Sequence, residues 1–189
     1  FKVCVQKNAG IRANYTDEDY KKSGASISPT VKDLYNKADI VIKIQRPTKH
    51  SNINEFNLVQ NCNLLTLMYE QKFKTEFSNL KKKKINVFAL EKMPRISRAQ
   101  SMDVLSSQSN LSGYKAVIDA ASQFNKAFPL MMTSAGTVAP AKVLIIGAGV
   151  AGLQAIATAK RLGAVVFSFD VRTSTKEQVE SLGAKFIEV

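Results

Sequence analysis

The feature that most constrains this chain is the run Lys142-Val143-Leu144-Ile145-Ile146-Gly147-Ala148-Gly149-Val150-Ala151-Gly152, where an apolar segment passes directly into Gly-x-Gly-x-x-Gly. Val143 to Ile146 is β-branched-rich and has no polar interruption, which predicts a central parallel strand covered on both faces. Each glycine then has its own task. Gly147 allows a tight turn, Gly149 lets the backbone approach a pyrophosphate, and Gly152 lets the next helix press on the sheet. Val150 to Arg161 continues as a helix, so its free N–H groups and positive dipole end face the turn. On the glycines alone, a tight strand-to-helix turn without a ligand fits equally well.

The residues that follow favour a dinucleotide. Gly163 closes the helix, and Val165 to Asp170 forms a second strand ending in an acid 18 positions past Gly152. An acid about 20 residues on accepts hydrogen bonds from a ribose diol and repels a 2′-phosphate, which favours NAD over NADP. Arg172 lies two residues beyond and keeps a grip on a 2′-phosphate open. The fingerprint therefore nominates Gly147, Ala148, Gly149, Val150 and Gly152 for cofactor binding, with Asp170, Val171 and Arg172 at the second strand. Thr175 to Gly183 predicts another helix and Lys185 to Val189 the start of a third strand. That is half of a six-stranded dinucleotide domain, with the nicotinamide side absent and one sheet edge unpaired. The chain reads as cut at both ends, since it also begins at Phe1 rather than Met.

Upstream, short elements alternate. Phe1 to Val5 predicts a strand, Thr16 with Asp17, Glu18 and Asp19 a capped helix ending near Gly24, and Val31 to Tyr35 a helical turn. Asp39 to Ile44 is a strand stopped by Pro47. Asn52 to Asn63 is asparagine-rich and fits more than one element. Leu64 to Tyr69, Lys72 to Leu80 and Ile85 to Leu90 then predict strand, helix, strand, so a parallel sheet wrapped by helices is the economical architecture. Arg95 to Ser109 is polar, and a working loop and a solvated connection fit it equally. Tyr114, Val117, Ile118, Ala121 and Phe124 follow helical spacing, weakened at the start by Gly113, and predict a connector between two domains. Phe128 to Pro140 is an irregular link in which Met131 and Met132 fill core.

Composition excludes several classes. With 27 Lys and Arg against 15 Asp and Glu, the net charge is +12, which raises an anionic partner. The densest run, Lys81 to Lys84, lies between a predicted helix and strand, where a solvated turn explains it, and no nucleic-acid-binding motif accompanies it. Cys4 and Cys62 have neither metal-like spacing nor a histidine partner, so buried thiols in a reduced compartment and no metal site are expected. No apolar run approaches the roughly 20 residues needed to span a bilayer. The one histidine, His50, is flanked by Lys49 and Asn52 and suits a surface role.

Further residues carry a family resemblance. Arg98-Ala99-Gln100-Ser101-Met102-Asp103, Ser106-Ser107-Gln108-Ser109-Asn110, Gly113-Tyr114, Gly136-Thr137 and Gly147 to Gly152 followed by Leu153-Gln154-Ala155-Ile156-Ala157-Thr158-Ala159 closely resemble the NAD(H)-binding subunit or domain of proton-translocating NAD(P) transhydrogenase. The match is strong from Met93 to Val189 and looser from Phe1 to Gln45. The resemblance implies a loop in which Arg95 and the Asp103–Ser106 pair hold the nicotinamide end of NAD(H), with Tyr114 following. It implies that Gln100 reaches toward NADP(H) presented by a partner domain, and that Arg95, Gln100 and Asp103 form the catalytic set. It also implies a membrane-associated complex facing the bacterial cytoplasm or mitochondrial matrix, proton-translocating and NADP-binding domains as partners, and pairing into a homodimer. Hydride transfer between two nicotinamides requires no protein acid or base, which accords with the lack of a candidate catalytic histidine.

Alanine dehydrogenases share much of this pattern, and Lys43 lies where their substrate-binding lysine falls. They also use a histidine where this chain has Tyr69, so deamination lacks its proton handler here. A catalytically idle NAD-binding module remains a third reading. The expected architecture is α/β, two Rossmann-like parallel-sheet lobes over 1–125 and 126–189 with NAD(H) in the cleft between them.

Overall fold

The computed structural model describes residues 1–36, 38–50 and 52–188. It divides into two units, Phe1–Met102 and Asp103–Val189. Val189, the last residue of the expected third strand, lies outside the described residues.

In the first unit, β1 (Cys4–Gln6) leads to α1 (Asp17–Lys22), where the Thr16 side chain and Asp19 form a reciprocal capping box. β2 (Ser26–Ser28) pairs parallel with β1, and α2 (Val31–Asn36) follows. β3 (Ile40–Gln45) starts the main sheet. The asparagine-rich stretch resolves into a small hairpin of β4 (Lys49–His50) with β5 (Ile53–Asn54), then α3 (Glu55–Leu58), which Asn54 caps by accepting from the Phe56 N–H. β6 (Asn63–Leu67), α4 (Lys74–Lys82) and β7 (Val87–Ala89) complete a parallel sheet in the order β3-β6-β7. Val41 stands opposite Leu64, and Leu64 opposite Val87. Val41, Leu64, Leu80 and Ile85 close the core, whereas Ile40, Ile42 and Ile44 on the alternate face of β3 are exposed. Cys62 is buried, but Cys4 is exposed, contrary to the expectation of two buried thiols; β1 is short and contributes nothing to this core.

The second unit opens with α5 (Val104–Gln123), followed by an antiparallel hairpin of β8 (Met131–Thr133) and β9 (Gly136–Val138). Then come β10 (Lys142–Ile146), α6 (Val150–Arg161), β11 (Val165–Phe169), α7 (Lys176–Ser181) and β12 (Lys185–Phe186). The sheet is parallel in the order β10-β11-β12, with Leu144 opposite Phe167 and Phe167 opposite Lys185. Ile156, Ala159, Val166 and Val179 are fully or almost fully buried between helices and sheet.

Four expectations change. β10 is an edge strand and not covered on both faces: Val143 and Ile145 pack on the core, while Leu144 and Ile146 are 55% and 77% exposed. Met131 and Met132 do not fill core. They lie on the exposed hairpin, where antiparallel pairing satisfies the backbone without burying side chains, and Met132 is 84% exposed. Half of the polar loop is helix, because α5 begins at Val104 behind a 3₁₀ segment at Ser97–Met102. Finally, the connecting helix groups with the second unit. Gly113 is its point of closest approach, since a Cβ there would lie 2.1 Å from the Ala151 carbonyl oxygen of α6. The apparent helix breaker is what lets α5 and α6 touch. Among the described residues, no helix is long and apolar enough to cross a membrane, and no group of three or more His, Cys, Asp or Glu is placed to hold a metal.

Candidate functional site

The turn after β10 is built as its glycines predict, with one refinement. Gly147 adopts φ +97°, the left-handed region open to glycine, and its N–H donates to the Phe169 carbonyl at 2.7 Å. A Cβ on Gly152 would lie 1.8 Å from the Gly147 carbonyl oxygen, so the third glycine seats α6 on the turn itself more than on the sheet. Gly149 is different. Its backbone is extended (φ −82°, ψ −170°), and a Cβ there would meet nothing within 4 Å. Gly149 is also the N-cap of α6, with no side-chain cap hydrogen bond. The first-turn N–H groups therefore lack an acceptor within the helix, and the positive end of its dipole opens onto unfilled space.

Asp170 stands at the end of β11 and is tied to this turn. Its Oδ2 accepts from the Ala148 N–H at 2.7 Å and from Arg172 Nη2 at 3.0 Å. Its Oδ1 accepts from the Arg172 N–H at 2.8 Å and Nε at 3.0 Å. The Arg172 side chain, with the Ala148 and Arg172 N–H groups, holds the Asp170 carboxyl well below the usual carboxylate range. The pair is lopsided: the Asp170 side chain is 6% exposed and the Arg172 side chain 59%. Ala148 is buried, Val150 and Val171 are exposed.

Asp103 is the N-cap of α5, accepting from the Ser106 N–H at 2.9 Å and Ser106 Oγ at 2.6 Å. The two residues that the resemblance pairs on the nicotinamide thus also hold each other. Tyr114 is exposed on α5, one position after the Gly113 contact with α6. Asn110 Nδ2 donates to Gln154 Oε1 at 3.2 Å, a second tie between these helices. Sequence reasoning assigned this pair no role, and the only signal for the approach was a glycine inside a helical pattern. Arg95 and Gln100 are exposed and belong to the first unit, so Asp103 begins the other side of the division from them.

The first unit also answers the alanine-dehydrogenase comparison. Lys43 Nζ lies 2.5 Å from Glu55 Oε2, which also accepts from the Thr48 N–H at 2.7 Å. The lysine charge is already paired. Tyr69 follows β6 with φ +50°, and the Glu91 carboxylate accepts from the Met68 and Tyr69 N–H groups at 2.9 and 2.6 Å. His50 is exposed, its Nε2 2.5 Å from Thr48 Oγ1.

A parallel strand, glycine turn, uncapped helix and second strand ending in an acid define a Rossmann-like α/β protein. Residues 1–112 match the alanine dehydrogenase/PNT N-terminal domain and residues 116–189 the corresponding C-terminal domain, and the chain belongs to this family. It is 54% identical to the first of the separately encoded alpha-subunit chains of NAD(P) transhydrogenase in Rhodospirillum rubrum, over 100% of this chain and 50% of that protein. It is 30% identical to an alanine dehydrogenase of Methanococcus maripaludis, over 91% of this chain and 46% of that one. The structure of a transhydrogenase from Sinorhizobium meliloti superposes with a TM-score of 0.91 at 49% identity, covering 100% of this chain and 53% of that one. The chain spans about half the length of the curated relatives it matches.

Proposed function

We propose that this chain is the NAD(H)-binding portion of a proton-translocating NAD(P) transhydrogenase. The observation that carries the proposal is the open space at Gly149, bounded by the uncapped N-terminus of α6 and by Asp170. The N–H groups of Val150 to Gly152 suit a pyrophosphate, and a side chain at position 149 is the one thing that would fill its place. Asp170 suits a ribose diol, with one rearrangement. Its carboxylate already accepts four N–H bonds, so a hydroxyl must take the place of one of them, and the exposed Arg172 side chain is the partner free to leave. Arg172 thereby serves to hold the acid ionised and poised, which leaves less of it for a 2′-phosphate and favours NAD(H) over NADP(H).

The nicotinamide supplies the hydride when bound. The chain's own residues then bind, orient and exclude water. Arg95, Asp103, Ser106 and Tyr114 hold the NAD(H) side, with Asp103 and Ser106 acting as a pre-bonded pair. Gln100 aligns this side with NADP(H) carried by a partner domain. In the full complex, transfer is coupled to proton movement through a membrane-spanning partner, with this portion paired as a homodimer on the cytoplasmic or matrix side. Support comes from the transhydrogenase relatives together with Tyr69 and the neutralised Lys43, which deprive the deaminating reading of its two groups.

The test uses the full-length protein with its NADP-binding partner. Arg95→Ala should weaken NADH binding, since a charged donor is lost. Gln100→Ala should keep NADH affinity within a few-fold yet slow stopped-flow hydride transfer by roughly ten- to a hundredfold, the cost of misalignment by about 1 Å. A Gln100→Ala protein with wild-type transfer, or one defective only in NADH affinity, would count against transhydrogenation.

A further inference from the structure

The lysine run that a solvated turn seemed to explain borders a cavity of about 950 Å³ within the first unit. Three pieces line it: the stretch from Arg46 to Thr48, the β4–β5 hairpin running into α3, and one side of α4. The α4 contributors are Thr75, Glu76, Asn79, Lys82 and Lys83, whose spacing puts them on a single helix face.

The charge is one-sided. Arg46, Lys49, Lys82 and Lys83 line the cavity against one carboxylate, Glu76. Among the described residues, none of these four cations is in an ion pair. The nearby Glu55 does not neutralise them, being taken up by Lys43 and Thr48. Lys83 is a strut whose Nζ donates to the carbonyls of Phe56 at 2.6 Å and Val59 at 3.4 Å, pinning α4 to α3. Arg46 is held in place too. Its guanidinium carbon sits 3.3 Å from the Phe73 ring centroid, and its Nε is buried with no hydrogen-bond partner. A buried donor without an acceptor calls for an explanation, and a bound anion is one.

We infer that this cavity binds a small organic phosphate carrying two or more linked phosphate groups, independently of the glycine turn. The volume lies at the upper end of the roughly 300–1,000 Å³ common for small-molecule sites, too large for a lone phosphate. A fixed guanidinium offers a planar fork to phosphate oxygens, and flexible lysines add point charges around it. Asparagine amides and threonine hydroxyls (Asn54, Asn57, Asn79, Thr75) supply neutral donors for the remainder of such a ligand.

The test is a titration of the chain with inorganic pyrophosphate at about 0.15 M salt, where exposed charges are screened beyond about 8 Å, followed by backbone amide NMR. Shifts should centre on Arg46 to His50 and Thr75 to Lys83. The exposed double substitution Lys49→Gln with Lys82→Gln should weaken binding by roughly a hundredfold, about tenfold per charged contact, with an unchanged circular dichroism spectrum. Arg46→Lys keeps the charge but loses the fork and should cost roughly tenfold. Gly149→Val should leave pyrophosphate affinity at this cavity intact. Shifts confined to the glycine turn would overturn the inference. So would an equal loss from the remote pair Lys2→Gln with Lys7→Gln, which means undirected charge, or tighter binding of an aspartate-rich peptide than of pyrophosphate.

Discussion

The two units build the same sheet and put it to different uses. Each has a three-stranded parallel sheet, and in each a carboxylate following one strand reaches the backbone N–H groups that follow its neighbour. After β11, Asp170 takes the N–H of Ala148 alone. After β6, Glu91 takes two successive N–H groups, those of Met68 and Tyr69. Tyr69 makes the left-handed turn with a large side chain, whereas Gly147 makes it with none. The helices differ likewise. α6 begins at Val150, four positions after β10 ends at Ile146, while α4 begins at Lys74, seven after β6 ends at Leu67. A strand-end carboxylate and a following helix are thus not enough for a nucleotide site. The turn must be short and bare, so that helix N–H groups reach the strand end unspent.

The largest break in that comparison is Gly152→Ala. The added carbon would fall 1.8 Å from the Gly147 backbone oxygen, which has no flexible end to yield. Either the helix or the turn must move, at a cost of about 3 kcal/mol or more. Thermal melting should fall by roughly 10–20 °C, with NADH binding lost along with the local fold. A melting curve like that of the wild type would show that the turn is softer than its geometry.

Gly149→Val separates binding from folding, because this residue is extended and faces open space. Melting should change little, while calorimetric NADH affinity falls by roughly a hundredfold or more. Unchanged affinity would remove the pyrophosphate from this turn.

The contrast between these two glycines was only partly legible in the sequence. The spacing identified strand, turn, helix and acid, since each has a local signal in periodicity or residue type. It did not distinguish a glycine that packs from one that faces a ligand, because that depends on what lies across from it. The same holds for Gly113, which propensity marks as a weakness and tertiary contact makes a necessity. The start of α5 was missed because Arg98 to Ser109 is polar on every side. Its cap is nevertheless written in the sequence as Asp103 three residues before Ser106. The Asp170–Arg172 pair was read as two competing reporters of cofactor identity, and the structure joins them.

Asp170→Ala sharpens the comparison at the carboxylates. NADH affinity should fall roughly tenfold, the loss of a charge-assisted acceptor, and the ratio of NADH to NADPH affinity should narrow. The same residue marks the acid limb of stability. Its folded pKa is depressed below the ordinary aspartate value of 3.8, so its stabilisation is fully present above that value and is lost as pH falls through the depressed one. Asp170→Asn should therefore flatten the dependence of melting temperature on pH below about 4. An unchanged acid slope would mean that the Arg172 pairing does not persist in solution.

The smallest expected effect belongs to Glu91→Gln, and it tests whether the two carboxylates differ in kind. Glu91 accepts one N–H on each oxygen, from Met68 and Tyr69. Glutamine keeps the length and one acceptor but presents an NH₂ to the second N–H, so one bond is lost and two donors oppose each other. Bonds to charged groups contribute about 1.5–3 kcal/mol, and the half-buried position lets water take some of the load, leaving a net loss of about 1 kcal/mol. That corresponds to a fall in melting temperature of roughly 4–8 °C. NADH affinity should not move, since the donors beyond β6 are committed to the chain's own carboxylate, whereas those beyond β10 stand open. Should Glu91→Gln weaken NADH as much as Asp170→Ala does, the end of β6 would have to count as belonging to the cofactor site, and the division of labour between the two sheets would fail.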